Sequence, residues 1–245
     1  MKSKNIRTDA YAVSWQDIDA NGKLSLRSFA VFMQESAWKH AEELGFGFDF
    51  MAQHNAFWVL KSIRAQIFQY PAWKQNVLLQ TWHRGYQGLL AFRDFKLTDQ
   101  HHKVLALAAS DWVIMHRQSR RPLKTDILEE FATTALEQQA LEGFVCSGEQ
   151  TAKLVYEADR TVNFSETDMH GHMNNTRYFE WAADVLNEVS EKQTHVKQFE
   201  MQFRNECRVK DVIKISAHQN GKTYTIAGVN SRHGKTVFQL HLCCD

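Results

Sequence analysis

The rhythm of apolar and polar residues changes several times along this 245-residue chain. Residues 57–70, 75–86, 89–99 and 103–117 alternate, and so do 195–206, 209–219, 222–231 and 235–244. In the later block Phe199, Met201 and Phe203 interleave with Glu200, Gln202 and Arg204, and Ile213, Ile215 and Ala217 keep the same parity. A period of two belongs to a half-buried strand with one apolar and one polar face, so eight antiparallel strands are predicted. Before each block the period lengthens to that of a helix. In "SLRSFAVFMQESAWKHAEEL" one face collects Phe29, Phe32, Met33, Ala37 and His40; in "NNTRYFEWAADVLNEVS" it collects Tyr178, Trp181, Ala182, Val185 and Leu186. A sheet with one apolar face needs a cover, and each block has one helix to supply it, which predicts an α+β fold.

The two blocks are copies of one pattern. "VSWQDIDANGKLSLRSF" (13–29) aligns with "VNFSETDMHGHMNNTRYF" (162–179), setting Val13 over Val162, Asp19 over Asp168 and Gly22 over Gly171 at a constant offset of 149. Leu24 then falls over Met173 and Phe29 over Tyr178. Each copy reads as a short strand, one long helix and four strands, with a first unit at 1–117 and a second at 153–245. Between them, 118–152 holds "RQSRRPLKTD" and "ATTALEQQALEGFVCSGEQTAK", polar and without alternation, and reads as a linker with a helical piece.

Charge and cysteine content narrow the function. Lys plus Arg (29) nearly equals Asp plus Glu (28), so no overall field draws nucleic acid or a membrane surface. The N-terminal "MKSKNIRTDA" has no apolar run of signal-peptide length, and no stretch of 18 apolar residues exists, so membrane insertion is not expected. Cys146, Cys207, Cys243 and Cys244 show no metal-type spacing, and the adjacent pair is poorly placed to bridge itself. They read as reduced packing residues of a cytoplasmic protein. His170 and His172, with Asp168, form a metal-like triplet without a fourth ligand at suitable spacing; neither a metal nor another cofactor is expected.

The densest chemistry lies in "TDMHGHMNNTRYFEWAAD" (167–184). A loop ending in D-x-[NH]-x-H-x-N-N-x-x-Y that opens a helix resembles the hot-dog thioesterases, and most closely the acyl-acyl carrier protein thioesterases, which carry two hot-dog units in one chain. "TWHRG" (81–85), "SDWVIMHRQSRRPLK" (110–124) and "FRNECRVKD" (203–211) are similar to further stretches of that family, so the resemblance runs from about residue 8 to 244. It implies two tandem hot-dog units, each a long helix wrapped by a curved antiparallel sheet. It also implies hydrolysis of fatty acyl thioesters on acyl carrier protein, releasing free fatty acid. Carried over by position, the functional set is Asp168, His172 and Glu206, with His170 standing where the family commonly has asparagine. Cys207 matches a cysteine that is a possible nucleophile in the family.

The residues offer physical reasons beside the resemblance. Asn174 or Asn175 is a good N-cap, leaving first-turn amides pointing outward with partial positive charge. A thioester carbonyl placed there is polarised and its oxyanion held. Asp168, four residues before His172, can fix the tautomer of the imidazole, or close an Asx-turn, as its copy Asp19 suggests. His172 can orient water or protonate the departing thiol. Strand parity puts Cys207 with Phe203 and Val209 on the apolar face, as a protonated packing residue. Glu206 falls on the polar side near a turn at 205–210, where a bulge can aim it as general base or carboxylate nucleophile.

In the first copy Lys23 replaces His172, so no chemistry is expected there; its Phe29, Phe32, Met33 and Trp38 can line an acyl tunnel or simply form core. Arg117, Arg120, Arg121 and Lys124 form a local basic cluster. It suits an acidic carrier protein whose arm bears a phosphate, and equally a solvated loop. Because the chain already holds a pair of units, it can be a monomeric pseudo-dimer or a homodimer. Competing readings are an acyl-coenzyme A thioesterase, a hot-dog dehydratase, or a non-catalytic acyl-binding module.

Overall fold

The computed structural model describes residues 5–146, 152–190 and 194–245. The chain divides into two compact units, Met1–Gly143 and Phe144–Asp245. The first contains β1 (Arg7–Ala12), α1 (Leu26–Leu44), α2 (Phe48–Gln53), β2 (Ala56–Ile67), β3 (Asn76–Gln87), β4 (Leu90–Asp99), β5 (Val104–His116) and β6 (Pro122–Leu123). Its strands are ordered β1-β3-β4-β5-β2, all antiparallel, with β6 paired to the end of β5. The second contains β7 (Lys153–Thr161), α3 (Arg177–Val189), β8 (Val196–Phe203), β9 (Val212–Asn220), β10 (Thr223–Asn230) and β11 (Thr236–Cys244). Here the order is β7-β9-β10-β11-β8, which repeats the first unit's topology strand for strand.

The eight long strands end within three residues of the alternating runs that predict them; burial alternates cleanly along β9 and β10, while β3, β4 and β5 also bury neighbouring residues. In β8, Phe199 and Met201 are fully buried, and in β9 so are Ile213 and Ala217. The helices bury the faces their periodicity marks: Phe29, Phe32, Met33, Ala37 and His40 on α1, and Tyr178, Trp181, Ala182, Val185 and Leu186 on α3. Trp38 is the exception. It points away from that face and is 54% exposed, so it does not line an interior tunnel. Ser25 caps α1 through a hydrogen bond from the Ser28 amide, and Gly45, at φ 95°, ends the helix in the left-handed region.

The stretch read as a linker is largely built into the first unit. After β6, residues 125–134 form 3₁₀ turns rather than an α-helix. Leu128 is completely buried there beside Phe46, Met51 and Ile114, and Phe131 packs edge-on against Phe46 at 5.3 Å. Further on, the Leu136 amide bonds the His83 carbonyl, Trp82 Nε1 donates to the Gln138 carbonyl, and the Ala140 amide donates to Asp94 Oδ2 at 2.6 Å. A few apolar anchors in polar surroundings suffice to hold this segment, and they carry no period to read.

Candidate active site

The loop between β7 and α3 is shaped by its own aspartate. Asp168 Oδ1 accepts the backbone amides of His170 (2.8 Å) and His172 (3.4 Å), while the Asp168 amide bonds the His172 carbonyl at 2.8 Å. Gly171 closes the turn at φ 73°, a conformation that glycine adopts without strain. The first unit repeats the set. Asp19 Oδ1 accepts from Asn21 and Lys23, its amide bonds the Lys23 carbonyl, and Gly22 sits at φ 68°. The unit without the histidine needs the aspartate as much as the unit with it, so these contacts of Asp168 belong to the turn.

A second loop, between β8 and β9, meets the first. His172 forms a backbone bridge with Arg208, and the Met173 amide bonds the Cys207 carbonyl at 2.9 Å. The β9 end is tied in by bonds from the Val162 amide to the Asp211 carbonyl and from the Lys210 amide to the Val162 carbonyl. Those pairings set His172 Nε2 3.1 Å from Glu206 Oε2, with the imidazole 15% exposed and the carboxylate 42% exposed. Glu206 lies beyond the end of β8, so a loop aims it, not a bulge within a strand. The first unit makes the same bridge, Lys23 with Ala72, and the same amide bond, Leu24 to Pro71. Its counterparts of His172 and Glu206 are therefore Lys23 and Tyr70.

Cys207 is completely buried. Burial, with Asp211 nearby, pushes its thiol up to about 11, against a hydrogen bond with the Tyr178 hydroxyl that acts the other way. A group in that state is a protonated packing thiol at neutral pH. Strand parity fails two residues later: Val209 is 37% exposed, because 204–211 is loop and no longer alternates.

The helix starts later than its sequence suggests. α3 begins at Arg177 with Thr176 before it, not at the asparagines. Asn174 Oδ1 accepts both the amide (2.9 Å) and the hydroxyl (2.7 Å) of Thr176, and the Arg177 amide bonds the Asn174 carbonyl. That is an Asx-type turn, which competes with the first helical turn and displaces it by two residues. Below it, Glu166 binds the Asn163 amide and accepts from Trp181 Nε1 at 2.7 Å, fixing the loop's base to the buried face of α3. Glu166 and Arg208 are positioning groups that sequence reading missed. The signal for Glu166 was the repeat itself, since Asp17 accepts the matching amide of Ser14; at Arg208 the bridge is made by the backbone, and Ala72 makes it in the first unit.

The remaining expected residues are elsewhere. His170 stands exposed at the tip of the turn, and Asn175 is half-buried beside the start of α3. Arg117, Arg120, Arg121 and Lys124 lie exposed around the β5–β6 hairpin of the first unit. There the Arg117 amide bonds the Asn55 carbonyl, Arg120 takes φ 54°, and its guanidinium sits 5.1 Å from the centre of the Phe57 ring. Among the described residues no group of three His, Cys, Asp or Glu side chains could hold a metal ion. Nor is any described helix long and apolar enough to cross a membrane.

Comparison with known proteins places the chain in a family. Residues 4–134 match the family described as Acyl-ACP thioesterase N-terminal domain, and 149–240 match its C-terminal domain. The oleoyl-acyl carrier protein thioesterase 1 of Arabidopsis thaliana is 23% identical over 223 residues, covering 84% of this chain and 61% of the relative. The dodecanoyl-[acyl-carrier-protein] hydrolase of Cinnamomum camphora is 22% identical, covering 83% and 57%. The chain thus spans roughly three fifths of the length of these curated relatives. In fold it is similar to an acyl-ACP thioesterase from Bacteroides thetaiotaomicron (TM-score 0.85, 22% identity, all of both chains). It is also similar to the 12:0-ACP thioesterase of Umbellularia californica (TM-score 0.84, 19% identity, 98% and 97% of the two chains). With the N-terminal and C-terminal family matches falling in sequence on its first and second units, the chain belongs to the acyl-ACP thioesterase family.

Proposed function

We propose that this chain hydrolyses fatty acyl thioesters carried on acyl carrier protein, with its chemistry in the second of two tandem hot-dog units. Both units have one long helix and a five-stranded antiparallel sheet in the same order, which supports that reading of the fold. The observation that carries the function is the His172–Glu206 pair at 3.1 Å, built by loops whose first-unit copies hold Lys23 and Tyr70 instead. Duplication preserved the scaffold in both places and kept an acid–base pair in one.

In this reading Glu206 takes a proton from water as the water oxygen bonds to the thioester carbonyl carbon. The carbonyl electrons move to oxygen, and in this reading the oxyanion is held near the start of α3. His172, 3.1 Å from Glu206, takes over the proton that Glu206 removed from water and passes it to the sulfur as the oxyanion collapses and the carbon–sulfur bond breaks, so both side chains return to their starting protonation. The products are a free fatty acid and the carrier thiol. Asp168 acts through the turn, by setting where His172 stands. The related proteins named as oleoyl and dodecanoyl carrier-protein hydrolases support the substrate class.

The test is a panel of carrier-protein thioesters of graded acyl length, with released thiol as readout. Steady turnover that Glu206→Gln lowers by about 10²–10⁴-fold supports the proposal. Turnover absent across the panel, or unaffected by that change, sinks it.

A further inference from the structure

Phe164 is 83% exposed and Met169 81% exposed, both on the segment that carries His172, and Val209 on the opposing loop is 37% exposed. Large apolar side chains exposed on the loops around a site are unusual on a surface that water alone will cover. Val209 sits between Arg208 and Lys210, both exposed; among the described residues neither cation enters an ion pair. The nearby carboxylates are engaged locally. Asp211 binds the Arg208 amide, Glu166 binds Asn163 and Trp181, and Asp168 binds its own turn.

The first unit shows what this position looks like when it is closed on itself. Trp15 and Trp73 stand where Phe164 and Val209 do. They pack edge-on at 5.0 Å, and the Lys74 ammonium lies 4.2 Å from the centre of the Trp73 ring. In the second unit Val209 offers no ring to pair with, and among the described residues no ring contact involves Phe164.

We propose that Phe164, Met169, Val209, Arg208 and Lys210 form the surface on which the acidic carrier protein docks, beside the His172–Glu206 pair. This rests on the hydrolase reading above and adds to it where the partner sits. The apolar groups supply contact area that loses water on binding, and the two cations match an acidic helix face and the phosphate of the arm. Docking at the rim delivers the thioester to the exposed edge of Glu206.

Two measurements test it, on the full chain. The first is binding, by calorimetry, of carrier protein bearing a non-hydrolysable acyl amide on its arm, which needs no turnover. The second is the ratio of kcat/KM for a carrier-bound thioester to that for the same acyl group on a pantetheine fragment. Phe164→Ser with Met169→Ser, and separately Lys210→Glu, are expected to weaken binding and lower the ratio by about tenfold or more, with added salt weakening binding to the parent protein. Unchanged binding and an unchanged ratio in both variants overturn the docking surface, whether or not thioesters are hydrolysed. A parent protein that binds the carrier at this surface yet turns over neither thioester overturns the hydrolase reading alone.

Discussion

At the scale of single residues, the site keeps two chain neighbours in different surroundings. Glu206 and Cys207 are adjacent, yet one reaches His172 at 3.1 Å while the other is sealed beneath Tyr178 with its thiol pushed up to about 11. Cys207→Ala is therefore expected to keep turnover within a few-fold, at a stability cost of about 1 kcal/mol for the lost packing. His172→Ala should lower kcat by about 10²–10⁴-fold with little change in thermal midpoint. Steady-state kinetics and a melting curve on the two variants decide between this assignment and a thiol nucleophile. Parity alone foretold the burial of Cys207. The resemblance put Glu206 and His172 in one set, but no local pattern showed that they meet, since 34 positions separate them and the pairing of two loops brings them together.

At the scale of elements, the loops and strands have their own demands. Asp19→Ala and Asp168→Ala each remove the acceptor of two backbone amides and should each cost about 1–2 kcal/mol in urea unfolding. Asparagine at either position offers the same acceptor oxygen and should restore most of that loss. If Asp168→Ala costs nothing while Asp19→Ala does, the two turns are not equivalent and the positioning role of Asp168 fails. In β10, a Cβ on Gly228 would overlap the Phe238 ring and stand 2.9 Å from Ile213 Cγ2. Both neighbours are completely buried, so Gly228→Ala is expected to destabilise by about 1–3 kcal/mol, read as a lowered urea midpoint. The strands and helix faces were plain in the sequence because burial repeats with a fixed period. The start of α3 was not, because "NNT" contains three residues able to cap and only the hydrogen bonds show that Asn174 spends its side chain on Thr176.

At the scale of the whole molecule, the first unit buries charge away from its loops. Arg93 is buried, donating to His40 Nδ1 at 2.8 Å and to Thr81 Oγ1. Beside it His83 is pushed down to about 4, first by burial and then by the Arg93 charge. His83 is thus neutral in the fold, while the unfolded chain takes up its proton below about 6.5. Stability is therefore at its full value above that pH and falls as pH drops toward 4, by at most about 1.4 kcal/mol per unit from this group. Urea unfolding at stepped pH should show that slope, and His83→Gln should flatten it; a slope unchanged by the substitution refutes the assignment. The sequence analysis singled out "TWHRG" and put His40 on the packed face of the first helix, but no local period showed that Arg93, from another strand, joins them. What the sequence by itself determined was the duplicated order of strand, helix and four strands, the buried faces, and the motif of the loop before α3, because each is written in local periods and spacings. What only the tertiary structure decided was which loop faces which. A contact such as His172 with Glu206 depends on where two distant turns end, and no local period encodes the direction in which a turn leaves its strand.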